Sequence, residues 1–350
     1  MTFLFLGLDG LDFDLAQEYE FNSKVSDTPV HLGRLDQDLP ETMSEKGNDR
    51  NNTGHWTFYV WGAMASGQLK TPEFRQEHPL PSDVEWPLKK KYLKKFPTSF
   101  KRYLKGRLTG RPRFKSFAWD EFDSVKVVNF PVCIPEYCEN TEVVKDDAIS
   151  RDYNDLEFNV LLREINHAIN NDYDAVFAVT RRVDCICHGA TSPGNFGADE
   201  EDEMFVDLAD AGFEEVHESG TPWQEFVEND METDNTESQR ERAEKLKQAV
   251  LDHVQTSYDE AAGLVNGIDW EGVSDHVVIS DHGFGKLGAG SVNAHSRNAV
   301  LSCSFARYRQ MSQFIQKWRD DLPEDVEVSE SQESSTEEKV KEQLEALGYT

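Results

Sequence analysis

The strongest constraint on the fold is a set of short, largely apolar runs at residues 3–8, 125–129, 175–180 and 277–280. Each is rich in Val, Ile, Leu, Phe or Ala and lacks the apolar–polar alternation of a strand with one wet face. Runs of that kind are strands buried on both sides, as in a parallel sheet covered by helices. Residues 299–304 form a weaker fifth run. Helical stretches at 155–170 and 237–265 precede the third and fourth runs. Strand and helix therefore alternate, which predicts an α/β fold: a mainly parallel sheet, joined by right-handed crossovers and sandwiched by helices. There is no internal repeat.

Polar residues gather where these runs end. The first closes on Asp9-Gly10, and the third leads into Arg181, Arg182, Asp184, Cys185, Cys187 and His188. The fourth closes on Asp281-His282-Gly283, and His295 follows shortly. In an open parallel sheet the carboxyl ends of the strands share one edge, and ligands bind there. Carboxylate and imidazole together are the ligand set of Zn²⁺ and similar divalent ions. Asp184 and His188 are four apart, so a helical turn would put both on one face, able to hold one ion. Asp281 and His282 are adjacent, so their side chains diverge and can serve two ions. Taken singly, an Asp after a strand often caps a helix, and a lone His is often only a surface group. The ordered set of D-G, D-x-x-x-H, D-H-G and a trailing His is not an ordinary coincidence.

Composition narrows the classes further. The chain has 350 residues, room for one large α/β domain, expected here over residues 1–322. Its 66 acidic residues against 36 basic ones give a formal charge of −30. Such a surplus repels nucleic acid and anionic membranes on average. With 11% aromatic residues and intact apolar runs, the chain is not an acidic disordered polymer. The pattern suits a halophilic protein, whose carboxylated surface is screened by a salty cytoplasm. Five cysteines, including the C-x-C pair Cys185 and Cys187, point to free thiols and a reducing compartment. The N-terminus lacks a basic lead and meets Asp9 early, and no stretch reaches eighteen apolar residues. These features lead to the expectation of a soluble, cytoplasmic protein without a transmembrane segment.

Three segments depart from the α/β plan. Residues 88–115 hold 12 of the 36 basic residues and no acidic one, interleaved with aromatics, and form an expected basic insertion. Residues 199–241 hold 17 of the 66 acidic residues and form an acidic insertion. Residues 323–350 make an acidic tail whose amphipathic end (Val340, Leu344, Leu347, Tyr349) suits a short helix.

One further stretch, Thr57-Phe-Tyr-Val-Trp61-Gly-Ala-Met-Ala-Ser66-Gly67, completes a recognisable order. With Asp9-Gly10, Asp184-x-x-x-His188, Ser280-Asp281-His282-Gly283 and His295, the chain resembles the alkaline phosphatase superfamily. It is most similar to the type I phosphodiesterase/nucleotide pyrophosphatase branch, in a halophilic archaeal-type form. The VKVVNFP stretch at 125–131 resembles that superfamily's usual second strand and Pro turn, and the closing residues 342–349 resemble the tail of archaeal sulfatase-like proteins. Two features depart from the pattern. No Asn follows the nucleophile position, and Cys133-Ile-Pro-Glu-Tyr137 has Tyr where the sulfatase modification signature needs Arg.

The resemblance implies an alkaline-phosphatase-like fold and a metal-dependent phosphohydrolase acting on a phosphodiester or phosphomonoester. It implies two divalent ions, Zn²⁺ or else Mn²⁺. Asp9, Thr57, Asp281 and His282 would surround one, and Asp184, His188 and His295 the other. Thr57 would be the nucleophile, passing through a phospho-threonine intermediate. Its hydroxyl would lie at the start of a helix, where a phosphoryl group is favoured. The missing Asn leaves the donor to a phosphoryl oxygen open among Asn51, Asn52, Arg181, Arg182 and Arg297, with Asn52, Arg181 and Arg297 carried as substrate-binding candidates. The expected partner is a small anionic phosphate ester. The 88–115 segment reads as a lid drawing such an anion in, as a nucleic-acid or membrane-surface patch, or as a solvated face paired with the acidic insertion. A phosphotransferase or mutase and a sulfatase-like ester hydrolase are the catalytic alternatives. A non-catalytic binding protein is disfavoured, because no ligand position is lost.

Overall fold

A computed structural model of the chain describes residues 1–39, 57–69, 117–131, 141–144, 158–191, 237–284 and 295–323. The strands are β1 (Thr2–Leu8), β2 (Gly33–Asp36), β3 (Val125–Val128), β4 (Thr141–Val144), β5 (Ala175–Thr180), β6 (Val273–Ile279), β7 (Gly283–Phe284), β8 (His295–Ser296) and β9 (Asn298–Cys303). Seven of them form one sheet in the order β2-β9-β6-β1-β5-β3-β4, and β7 with β8 makes a separate pair. β1 pairs in parallel with β5 and β6, and β3 in parallel with β4 and β5. β9 runs antiparallel to β6, and β2 antiparallel to β9. The architecture is α/β, with a mostly parallel central sheet covered by helices.

Both faces of the sheet are buried, which is why its central strands read as continuous apolar runs. Leu4, Leu6 and Leu8 of β1 face the helices Phe158–Asn170 and Glu237–Gly267. Phe3 and Phe5 of the same strand face the helices Thr57–Ser66 and Met311–Lys317. On that second face Phe3 lies 5.9 Å from Phe177, and Phe5 lies 5.4 Å from Trp318, ring centre to ring centre. Each such ring contributes about 1.5–3 kcal/mol by burial. The Phe158–Asn170 helix buries Leu161, Ile165, Ala168 and Ile169, the spacing of one helical stripe.

The first, second and third expected strands stand at Thr2–Leu8, Val125–Val128 and Ala175–Thr180. Asn129, with a positive φ of 53°, ends the second. The fourth begins earlier than expected, at Val273, because its polar first half still pairs with the sheet. β2 and β4 were not expected at all. The basic insertion 88–115 lies outside the described residues. So do the acidic insertion 199–241, apart from the start of the Glu237–Gly267 helix, and the tail beyond residue 323.

Candidate metal centre

The carboxyl edge of the parallel strands gathers the residues that the sequence singled out. Asp9 follows β1, Asp184 lies in the first turn of the Arg182–Thr191 helix after β5, and Asp281 and His282 follow β6. His295 opens β8. Gly10 permits this convergence: its φ is +80°, and a side chain there would sit 2.7 Å from the Asp184 backbone. The Asp184 amide donates to the Asp9 carbonyl at 3.1 Å, joining the two loops.

His282 is the hub. Its Nε2 lies 3.4 Å from Asp9 Oδ1, 3.4 Å from Asp184 Oδ1 and 3.6 Å from Asp281 Oδ2. The His295 ring stacks on it at 3.8 Å, with its own Nε2 3.8 Å from Asp184 Oδ1. Two trios result, Asp9–Asp281–His282 and Asp184–His282–His295, and the ligand atoms of each lie within 4.8 Å of one another. His282 thus belongs by position to both, whereas the sequence-based division gave it only to the ion of Asp9, Thr57 and Asp281. His188 is one helical turn after Asp184 in the Arg182–Thr191 helix.

The burial and charge of these groups suit a cation. Asp9, Asp281 and His282 are fully buried. Nε2 of His282 makes no hydrogen bond, and the Asp9 and Asp281 carboxyl groups crowd against each other. Burial, reinforced by the negative charges of Asp281 and Asp184, holds the Asp9 carboxyl well above the usual carboxylate range. Burial likewise pushes Asp281 up to about 7, with the charge of Asp184 adding to it. His282 Nδ1 lies 3.2 Å from the Gly283 carbonyl, to which it can only donate, and Nε2 faces the acids. A divalent ion answers each of these features, and the Asp/His donor set matches it chemically. Cys187, beside this site, is a buried thiol pushed well above its ordinary pKa by burial, and so is inert.

Several neighbours steady the ligands. Trp61 Nε1 points at Asp9 Oδ2 from 3.4 Å, bringing the Thr57–Ser66 helix to the site. Thr57 is the first residue of that helix, four positions before Trp61. Arg181 Nε lies 3.5 Å from Asp9 Oδ2. Gln37 donates to the Asp281 carbonyl at 2.6 Å, a contact with no sequence signal, because it crosses 244 residues. Arg182 turns away to Glu260, at 2.8 Å, and Arg297 is exposed between β8 and β9. Asn52 lies outside the described residues.

No protein-family model matches the sequence, and no curated protein matches it. Solved structures do. The zinc complex of the C-terminal periplasmic domain of EptC from Escherichia coli aligns over 91% of this chain and 81% of that one, at 10% identity and a TM-score of 0.41. A second structure of that domain gives 9% identity and a TM-score of 0.40 over the same shares. A protein in the alkaline phosphatase superfamily from Vibrio parahaemolyticus aligns over 88% of this chain and 61% of that one, at 12% identity and a TM-score of 0.31.

Proposed function

We propose that the chain is a metal-dependent phosphohydrolase of the alkaline phosphatase superfamily, cleaving a phosphodiester or phosphomonoester with Thr57 as nucleophile. The observation that carries this reading is the buried donor set at the sheet edge. Asp9 and Asp281 are fully buried side by side, and His282 Nε2, without a hydrogen bond, faces them at 3.4 and 3.6 Å, distances suited to a shared cation. Buried carboxylates are costly and persist where function requires them. Asp9, Asp281 and His282 would hold one divalent ion, and Asp184 and His295, with His188, a second. Such ions supply positive charge that polarises the phosphoryl group and lowers the pKa of a nearby hydroxyl.

The chain's own residues divide the remaining work. The Thr57 oxygen bonds to phosphorus as the bond from phosphorus to the ester oxygen breaks, and the proton that Thr57 gives up to solvent is matched by one the leaving alcohol takes from it. Water then displaces the Thr57 oxygen from phosphorus, restoring the hydroxyl and releasing the phosphate product. Trp61 fixes the helix bearing Thr57 against Asp9. Arg181, whose side chain lies 3.5 Å from Asp9, would donate to a phosphoryl oxygen where the branch uses Asn.

Bis-p-nitrophenyl phosphate, p-nitrophenyl phosphate and p-nitrophenyl sulfate, assayed with Zn²⁺ or Mn²⁺ in high salt, test the reading. Hydrolysis of a phosphate ester is expected, lost with a chelator and abolished in Thr57→Ala. Full turnover by Thr57→Ala would overturn the nucleophile assignment, and hydrolysis of the sulfate alone would overturn the substrate class.

A further inference from the structure

The His295 imidazole reaches the centre from β8, a strand of two residues. Its pairing with β7, Phe284 to His295 and Gly283 to Ser296, is too short to fix a side chain by itself. Metal coordination tolerates errors of only about 0.2 Å in ligand position. The neighbouring residue supplies the missing anchor. Ser296 Oγ donates to Asp12 Oδ2 and accepts the Asn298 amide at 3.2 Å.

Asp12 is itself immobile. It is 1% exposed. Its Oδ1 accepts from the amides of Asp14 at 2.8 Å and Leu15 at 3.2 Å, capping the Phe13–Glu18 helix. Its own amide donates to the Tyr258 hydroxyl at 3.0 Å. A second tie runs parallel: Asn298 Nδ2 donates to Asp14 Oδ2 at 2.8 Å. The loop that carries Asp9 therefore continues, three residues later, into a fixed carboxylate that grips the residue after His295.

We propose that Asp12 and Ser296 are positioning residues for His295, holding it in register with Asp184 and His282 so that it can ligate a divalent cation. This rests on the metal-centre reading of His295, and the test separates the two. The full chain is stripped with a chelator and titrated with Zn²⁺ against a chromophoric competitor. His295→Ala should lose one metal equivalent. Ser296→Ala should keep both, with one weakened about 10–100-fold, the usual effect of losing a residue that orients a ligand. Ser296→Thr, which retains the hydroxyl, should restore most of that affinity. Asp12→Asn, which keeps an oxygen for the helix cap, should weaken the same equivalent and decides the matter if Ser296→Ala does not fold. Wild-type affinity in Ser296→Ala alongside loss in His295→Ala overturns the positioning role, as does a Ser296→Thr protein no better than Ser296→Ala. Wild-type binding by His295→Ala overturns the metal reading itself and the positioning role with it.

Discussion

A buried carboxylate is tolerated only where something answers its charge, and Asp281 is surrounded by two further acids and one imidazole whose Nδ1 donates to the Gly283 carbonyl. Removing that charge should help the metal-free protein and harm the loaded one. Asp281→Asn is therefore expected to melt above wild type in a chelator and to gain less from added Zn²⁺. Wild type should gain about 4 kcal/mol at a free Zn²⁺ level near 1,000 times its Kd. Scanning calorimetry with and without the ion reads both, and an Asp281→Asn protein that responds to Zn²⁺ like wild type contradicts the ligand assignment. Gly7 of β1 makes a different kind of contribution. A methyl group there would come within 2.8 Å of Trp61 Cζ3 and of Val179 Cγ2. Gly7→Ala should cost about 1–3 kcal/mol by overpacking. Because the ring it displaces is the one facing Asp9, turnover should fall more than stability alone explains. Kinetics under conditions where Gly7→Ala remains fully folded separate the two effects.

At the level of elements, β6 couples the site to a histidine that takes no part in it. His276 is buried, its Nε2 3.2 Å from Ser302 Oγ on β9 and its ring edge-on to Trp270 at 5.4 Å. Burial pushes its pKa down from 6.5 to about 4. The unfolded chain takes up a proton below about pH 6.5, while the folded chain refuses it until about pH 4. The stability this neutral ring contributes is thus complete above 6.5 and falls through that window by about 1.4 kcal/mol per pH unit. Urea midpoints of His276→Gln should lose that part of the slope between pH 6.5 and 4, and parallel slopes in the two proteins would rule the effect out. The same strand shows why some of the fold was legible in the sequence and some was not. β1 and β5 are buried along their whole length, so their runs announce them. β6 begins with Val-Ser-Asp, half-wet residues without an apolar signal, and β2 offers one buried residue, Leu35, in four. Lys126 interrupts β3 as a buried cation, and only the fold reveals its partner Glu164, at 2.8 Å. The site was legible as a set because strand ends place Asp9, Asp281 and His282 at one edge. The sharing of His282 between two trios was not, because it depends on side-chain directions that spacing does not encode.

For the whole molecule the dominant quantity is a formal charge of −30, unevenly spread. Residues 88–115 carry 12 basic residues and no acidic ones, so the rest of the chain has 24 basic residues against 66 acidic. Exposed pairs such as Lys24–Asp259 return little of the resulting self-repulsion, since such contacts are worth about 0–1 kcal/mol each. Screening is the larger lever. The Debye length falls from about 30 Å at 0.01 M salt to about 10 Å at 0.1 M and about 3 Å at 1 M. Repulsion between carboxylates spread over the surface should therefore relax mostly within the first few tenths molar. Melting temperature is expected to climb steeply with KCl over that range and then flatten. Salting-out of apolar surface has the opposite profile, gaining with each increment at high concentration. A curve that is level at low salt and rises only in concentrated KCl would show that burial, not charge, sets the salt response. The early rise would instead show that repulsion within the acidic surface sets the salt response.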